Sequence, residues 1–135
     1  MADDGREESG ASGTAPLPPA ILVVEDEELV RLDSCQRLED AGFTVLEASS
    51  AEEALALLHA HHEIRVLVTD VKMPGWMSGI DLARFVGKER PEISILVTSA
   101  YFTAEEGELP ENMTVFPKPF SPDALVREVR LLLKG

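Results

Sequence analysis

Several kinds of residue are scarce in this chain of 135 residues, and each scarcity excludes a class of protein. A single cysteine, Cys35, rules out an internal disulfide framework and fits a reducing compartment. Only 12 lysines and arginines stand against 25 acids, and the formal charge of −13 argues against binding to nucleic acid or to an anionic membrane surface. No apolar run approaches the length of a signal-peptide core or a membrane span. We therefore expect a cytoplasmic protein.

The first 19 residues contain few large apolar side chains. Residues 1–19 are rich in Gly, Ser, Ala, Pro, Asp and Glu and have no apolar period, a composition that cannot bury enough surface to fold. We predict a disordered acidic tail over 1–19 and one domain over 20–135. That domain has a size common among domains with a core of their own.

From residue 20 onward, short apolar runs alternate with amphipathic segments. The runs typical of buried strands are Ala20–Val24, Phe43–Ala48, Val66–Thr69, Ile93–Val97 and Met113–Phe116. Helical spacing follows all but the fourth run, after which Gly107 and Pro110 leave room for one helical turn at most. This alternation predicts an α/β fold: a doubly wound, five-stranded parallel sheet of order 2-1-3-4-5 whose fourth helix is shortened or absent.

The predicted helices have recognisable ends. Ser50, with Glu53 three residues later, predicts a capping box at the start of the second helix. Ser78 and Ser121 are placed as N-caps of the third and last helices, and Gly42 as the end of the first. The first helix repeats apolar residues at helical spacing, and we expect these to face the core: Leu29, Leu32, Cys35, Leu38 and Ala41.

Polar side chains interrupt the apolar runs where the predicted strands end. Glu25 and Asp26 follow the first strand, and Asp70 follows the third. Thr98 ends the fourth strand, and Lys118 comes just after the fifth. The predicted strand order makes these four strands neighbours, so the side chains meet at the carboxyl edge of the sheet, where ligands bind in such folds.

The residue types at this edge suit metal-assisted phosphoryl transfer. Clustered carboxylates repel one another, by on the order of 4 kcal/mol for two unit charges about 4 Å apart at an effective dielectric near 20. A divalent cation would relieve that repulsion, and an all-oxygen site suits Mg²⁺ better than zinc. A carboxylate such as Asp70, beside a metal and a lysine ammonium, is equipped to attack phosphorus and form an aspartyl phosphate. Lys118 and the Thr98 hydroxyl would then contact the phosphoryl oxygens.

In this order and spacing the motifs resemble the receiver domain of two-component response regulators. The resemblance rests on "ILVVEDE", "LVTDVKMPG", "ILVTS" and "PKPF" and covers residues 21–133. It implies a flavodoxin-like receiver fold in which Asp70 is the phosphoacceptor and Thr98 and Lys118 contact the phosphate. It also implies a cis peptide between Lys118 and Pro119.

The same resemblance implies a ligand set for Mg²⁺. Asp26 and Asp70 would bind the ion together with the backbone carbonyl of Lys72, and Glu25 would hold a metal-bound water. Glu25 stands where an Asp is common in the family. Ser99 also carries a hydroxyl, which leaves open whether Thr98 or Ser99 contacts the phosphate.

The resemblance further implies partners. A sensor histidine kinase or a histidine phosphotransfer protein would supply the phosphoryl group, and a downstream protein would receive the signal. The chain would not be an enzyme beyond promoting its own phosphorylation and dephosphorylation. We expect no effector domain after Gly135, and therefore a stand-alone receiver that is monomeric or weakly dimeric. Val115 stands where receivers often carry Tyr or Phe, which puts the usual output face in doubt.

Three other functions fit the motifs less well. A flavodoxin-like cofactor binder would need a phosphate-binding loop where the acids 25–28 stand, and a phosphatase that forms an aspartyl phosphate would normally carry an acid in place of Lys72. A nucleotide hydrolase would need a Gly-rich loop with Lys and Ser or Thr, which the sequence lacks. The alternative that stays open is a receiver-like interaction module that is not switched by phosphorylation.

Overall fold

A computed structural model of the chain describes residues 17–73, 75–99 and 112–134. These ranges form five strands and four helices: β1 (Ala20–Val24), α1 (Glu28–Asp40), β2 (Thr44–Ala48), α2 (Ala51–Ala60), β3 (Ile64–Asp70), α3 (Gly79–Glu89), β4 (Ser94–Ser99), β5 (Met113–Pro117) and α4 (Pro122–Lys134). Most of the tail predicted to be disordered lies outside the described residues, as does most of the segment for which the sequence predicts a shortened or absent fourth helix. Those two expectations stay predictions.

The five strands pair in parallel in one sheet of order β2-β1-β3-β4-β5, which confirms the predicted fold class. All five residues of β1 are buried, because a parallel sheet is covered on both faces and its central strands have no solvent side. The register of β3 and β4 pairs Asp70 with Thr98. Two of the predicted site residues therefore lie next to each other at the carboxyl edge.

An apolar cluster covers each face of the sheet. Because successive side chains of a strand point to opposite faces, Leu22 packs with α2 and α3 while Ile21 and Val23 pack with α1 and α4. Cys35 belongs to the second cluster, and its pKa is raised to about 12, chiefly by burial. Its thiol is therefore a neutral core group. Among the described helices, none has the length and apolar character needed to cross a membrane.

The helix ends agree with the predicted capping residues, with one exception. Ser78 and Asp81 form a reciprocal capping box at the start of α3. Ser50 Oγ accepts a hydrogen bond from the Glu53 amide, but the Glu53 carboxylate accepts from the amide of Ser49 at 2.6 Å. The predicted capping box of α2 is therefore only half formed.

The prediction of which side chains of α1 face the core is wrong near the start of the helix. Cys35 and Leu38 are buried as expected, but Leu29 is 79% exposed and Leu32 is 44% exposed. The inward position near the start of the helix is occupied by Arg31, which is engaged with polar partners on β2 and at the end of β1. Apolar spacing alone could not show this, because it does not register a charged side chain that faces inward.

Candidate functional site

Three carboxylates lie together at the carboxyl edge of the sheet. Glu25 and Asp26 directly follow β1, and Asp70 ends the neighbouring strand β3. One oxygen of each lies within 4.8 Å of the others. Glu25 is only 7% exposed, Asp70 is partly buried and Asp26 is exposed, so the group opens to solvent on one side. The structure thus brings together the three acids that the sequence places at strand ends.

Lys118 lies between two of these acids. Its Nζ donates a hydrogen bond to Asp70 Oδ2 at 2.9 Å and is 3.9 Å from Glu25 Oε1. Burial alone would lower the pKa of Lys118, but the hydrogen bond to Asp70 and the attraction of Asp70 and Glu25 together outweigh it, so its pKa is raised. Lys118 is therefore a fixed positive charge. The Lys118–Pro119 peptide is cis, as the resemblance implies.

Glu25 is the most buried of the three acids. Its pKa is raised chiefly by burial, and the nearby charges of Asp70 and Asp26 raise it further. The backbone N–H of Glu27, 3.2 Å from Oε2, and the Lys118 ammonium oppose that shift without cancelling it. A cation placed among the three acids would stabilise their charged forms.

The donor set fits Mg²⁺. It offers three carboxylate oxygens, and among the described residues no histidine or cysteine joins the group. Oxygen donors of this kind, with solvent on one side, suit a hard cation that keeps part of its water shell. Lys72, whose backbone carbonyl is the fourth predicted ligand, follows β3 with its side chain exposed.

Thr98 and Ser99 end β4, and both are buried. The Thr98 hydroxyl donates a long hydrogen bond of 3.4 Å to the Thr69 carbonyl, at the level where Thr98 pairs with Asp70. The Ser99 carbonyl accepts the Lys118 amide at 2.9 Å, which ties the start of the segment after β5 to β4. Of these two hydroxyl-bearing residues, Thr98 is therefore the one that pairs with Asp70 in the sheet.

The segment after Asp70 folds back so that α3 begins against the end of β3. The Gly79 amide donates to the Val71 carbonyl at 2.8 Å. A Cβ atom built on Gly79 would lie 1.5 Å from the backbone oxygen of Asp70, so only glycine fits here without moving the backbone. Trp76 lies on the segment between Asp70 and Gly79 and is 72% exposed.

Two residues in contact with the backbone of site residues were not predicted from the sequence: Gly79 beside Asp70, and Arg31 on the Glu25 carbonyl. The position of Gly79, directly after the N-cap Ser78, could have indicated this contact. Glycine is a poor helix former, so a glycine in the first turn of a helix indicates that another element packs closely there. Arg31 gives no comparable signal, since a lone basic residue in an amphipathic helix is ordinarily a solvated side chain.

Comparisons with known proteins agree with this arrangement. A family model for the response regulator receiver domain matches residues 21–130. The sensor kinase CckA of Brucella abortus is 37% identical over 120 residues, covering 84% of this chain and 12% of that protein. The transcriptional regulatory protein PdtaR of Mycobacterium tuberculosis is 32% identical over 120 residues, covering 87% of this chain and 58% of that protein.

A solved structure is similar over its whole length. The crystal structure of a response regulator receiver protein from Pseudomonas putida has a TM-score of 0.73 at 30% identity, covering 87% of this chain and 99% of that one. By contrast, the chain spans 12% of CckA and 58% of PdtaR, both less than two thirds of those curated relatives. The similarity therefore concerns only a part of each of these two relatives.

Proposed function

We propose, since this chain belongs to the response regulator receiver domain family, that Asp70 accepts a phosphoryl group in a phosphorelay. The homologues support a phosphorelay response regulator role and do not favour an interaction module that phosphorylation leaves unswitched. The observation that carries the proposal is the grouping of Glu25, Asp26 and Asp70 with the Lys118 ammonium 2.9 Å from Asp70.

The hydrogen bond from Lys118 to Asp70 supports different roles for the two carboxylate oxygens of Asp70. Lys118 holds Oδ2, which leaves Oδ1 to attack phosphorus. As the new oxygen–phosphorus bond forms, the phosphorus–nitrogen bond to a donor histidine breaks and its electron pair leaves with the imidazole nitrogen. Charge then develops on the phosphoryl oxygens. Lys118 and the Thr98 hydroxyl, which gives up its long bond to Thr69, stabilise that charge.

The acids would hold Mg²⁺. Asp26, Asp70 and the Lys72 carbonyl would ligate the ion, and Glu25 would hold one of its waters. When bound, Mg²⁺ neutralises charge on the carboxylates and on the phosphoryl oxygens.

Receiver domains interact with histidine kinases or phosphotransfer proteins, and we assign such a protein as the donor for this chain. A downstream protein would read the phosphorylated state. We propose further that this receiver is cytoplasmic and is monomeric or weakly dimeric. The only reactions that it would promote are its own phosphorylation and dephosphorylation.

The proposal is tested by intact-mass measurement. Wild type incubated with acetyl phosphate and Mg²⁺ should gain the mass of one phosphoryl group, and EDTA should prevent the gain. Hydroxylamine, which cleaves acyl phosphates, should remove it again. A wild type that binds Mg²⁺ and never gains this mass from acetyl phosphate or phosphoramidate would contradict the proposal.

Mg²⁺ should also stabilise the fold, because it relieves a repulsion that exists only when the three acids are gathered. For a dissociation constant on the order of 1 mM, about 10 mM Mg²⁺ adds roughly 1.4 kcal/mol to the free energy of unfolding. Thermal unfolding with and without Mg²⁺ measures the gain. Asp26→Asn should remove most of it, whereas Asp33→Asn, the same change on the exposed face of α1, should retain it. Equal gains in the two variants would argue against the assigned ligands.

A further inference from the structure

Arg31, near the start of α1, joins three parts of the fold behind the acidic site. Its NH1 group donates to the backbone carbonyl of Glu25 at 2.9 Å, and its Nε donates to Glu47 Oε1 on β2 at 2.8 Å. The Arg31 side chain is only 15% exposed, although it carries a charge. A guanidinium with two directed contacts is held in one orientation, because its donors form a rigid planar fork.

These contacts fix the backbone of Glu25 on both sides. The Glu25 amide donates to the Ala48 carbonyl at 3.0 Å, and the Glu25 carbonyl accepts from Arg31. The peptide plane between Glu25 and Asp26 contains that carbonyl, so its orientation sets the direction in which both side chains leave the backbone. These two residues supply two of the three clustered carboxylates.

Glu47 in turn holds Arg31. Glu47 lies on β2 opposite Val23 of β1, one strand away from the acidic site. The hydrogen bond from Nε to Glu47 raises the pKa of Arg31. With Nε held in this way, NH1 of the same planar group lies against the Glu25 carbonyl. Loss of the Glu47 contact would leave the guanidinium with one of its two directed contacts.

We propose that Arg31 is a positioning residue for the cation site, which it serves by holding the Glu25 carbonyl so that the Glu25 and Asp26 carboxylates converge on Asp70. The inference rests on the proposed function, because it concerns affinity for the Mg²⁺ that the acids would bind. Arg31 touches neither the metal nor the phosphoryl group in this role. Partners of metal ligands typically affect metal affinity by about 10-fold to 100-fold when they are removed.

Charge and positioning predict opposite signs for the loss of Arg31. A guanidinium near a cation site repels the cation, so removal of its charge alone would tighten Mg²⁺ binding. Removal of a positioning contact weakens binding, because the two carboxylates must then be ordered by the ion itself. Protein stability falls in either case, so the dissociation constant of Mg²⁺ is the informative measurement.

The experiment is calorimetric titration of the whole chain with Mg²⁺, without phosphoryl donor, at a temperature where circular dichroism shows every variant folded. Arg31→Met should raise the dissociation constant by about tenfold. Arg37→Met is the matched control, since Arg37 lies on the same helix and its half-exposed guanidinium is 3.9 Å from Asp33. Its dissociation constant should stay at the wild-type value or fall slightly.

A second pair of variants keeps the charge constant. Arg31→Lys retains the positive charge but cannot make both directed contacts, so Mg²⁺ binding should weaken to a value between wild type and Arg31→Met. Arg37→Lys should match the wild type. The comparison of these two lysine variants tests the positioning role of Arg31 even if Arg31→Met does not fold.

The outcomes separate the two proposals. Wild-type or tighter affinity in both Arg31 variants, with clear binding by wild type, would overturn the positioning role and leave the proposed function intact. Absence of Mg²⁺ binding by wild type itself would overturn the cation site and the positioning role together.

Discussion

Replacement of Asp70 by asparagine should abolish the gain of one phosphoryl group that wild type shows with acetyl phosphate and Mg²⁺. The amide has nearly the shape of the carboxylate and can still accept the Lys118 hydrogen bond through its oxygen. It lacks the negative charge and the nucleophilic oxygen that the attack on phosphorus requires. Intact mass and hydroxylamine sensitivity measure the result.

The control for this experiment is Asp33→Asn, which makes the same chemical change on an exposed face of α1. It should be phosphorylated like wild type. An Asp70→Asn protein that gains the same mass would place the phosphoryl group on another residue. Peptide mapping of the hydroxylamine product would then examine Asp26, the other carboxylate of the cluster that is open to solvent.

Gly79→Ala should destabilise the fold by about 3 kcal/mol, although alanine is the better helix former. The added Cβ would lie 1.5 Å from the backbone oxygen of Asp70 and 2.6 Å from its carbonyl carbon. Neither atom belongs to a flexible side chain, so β3 and the start of α3 must separate. Urea unfolding measures the loss. Phosphorylation should fall as well, because the displaced residue, Asp70, is the proposed phosphoacceptor.

Gly42→Ala is the matched control for the steric argument. Gly42 has φ +99°, and a Cβ there would meet nothing within 4 Å. Its replacement should therefore cost only the backbone strain of a left-handed conformation, about 1–2 kcal/mol. If Gly79→Ala were more stable than wild type, as helix propensity alone predicts, α3 and β3 would not approach as closely as described.

The fold and the gathering of the acids could be predicted because both depend on signals that are local in the chain. A run such as Val66–Thr69 shows a buried strand, and Asp70 after it marks the carboxyl end. Once the strands are parallel and ordered, residues at their carboxyl ends must lie along one edge. No side-chain geometry is needed for that step.

Contacts that depend on the relative position of two elements could not be predicted in this way. Arg31 faces inward because the Glu25 carbonyl and Glu47 lie where it points, and its spacing from Leu29 and Leu32 does not reveal this. The need for glycine at position 79 arises from the distance between α3 and β3. Both are properties of packing, and sequence periodicity carries no information on distance across the fold.

The chain contains a single tryptophan, Trp76, and it lies on the segment that joins Asp70 to α3. Its indole is 72% exposed, so water and collisional quenchers reach it. Because the chain has no second indole, the intrinsic tryptophan emission of the whole protein reports the polarity around one loop, which follows the proposed phosphoacceptor Asp70. The protein therefore carries its own optical reporter of that loop, and fluorescence can be recorded on the unlabelled wild-type chain.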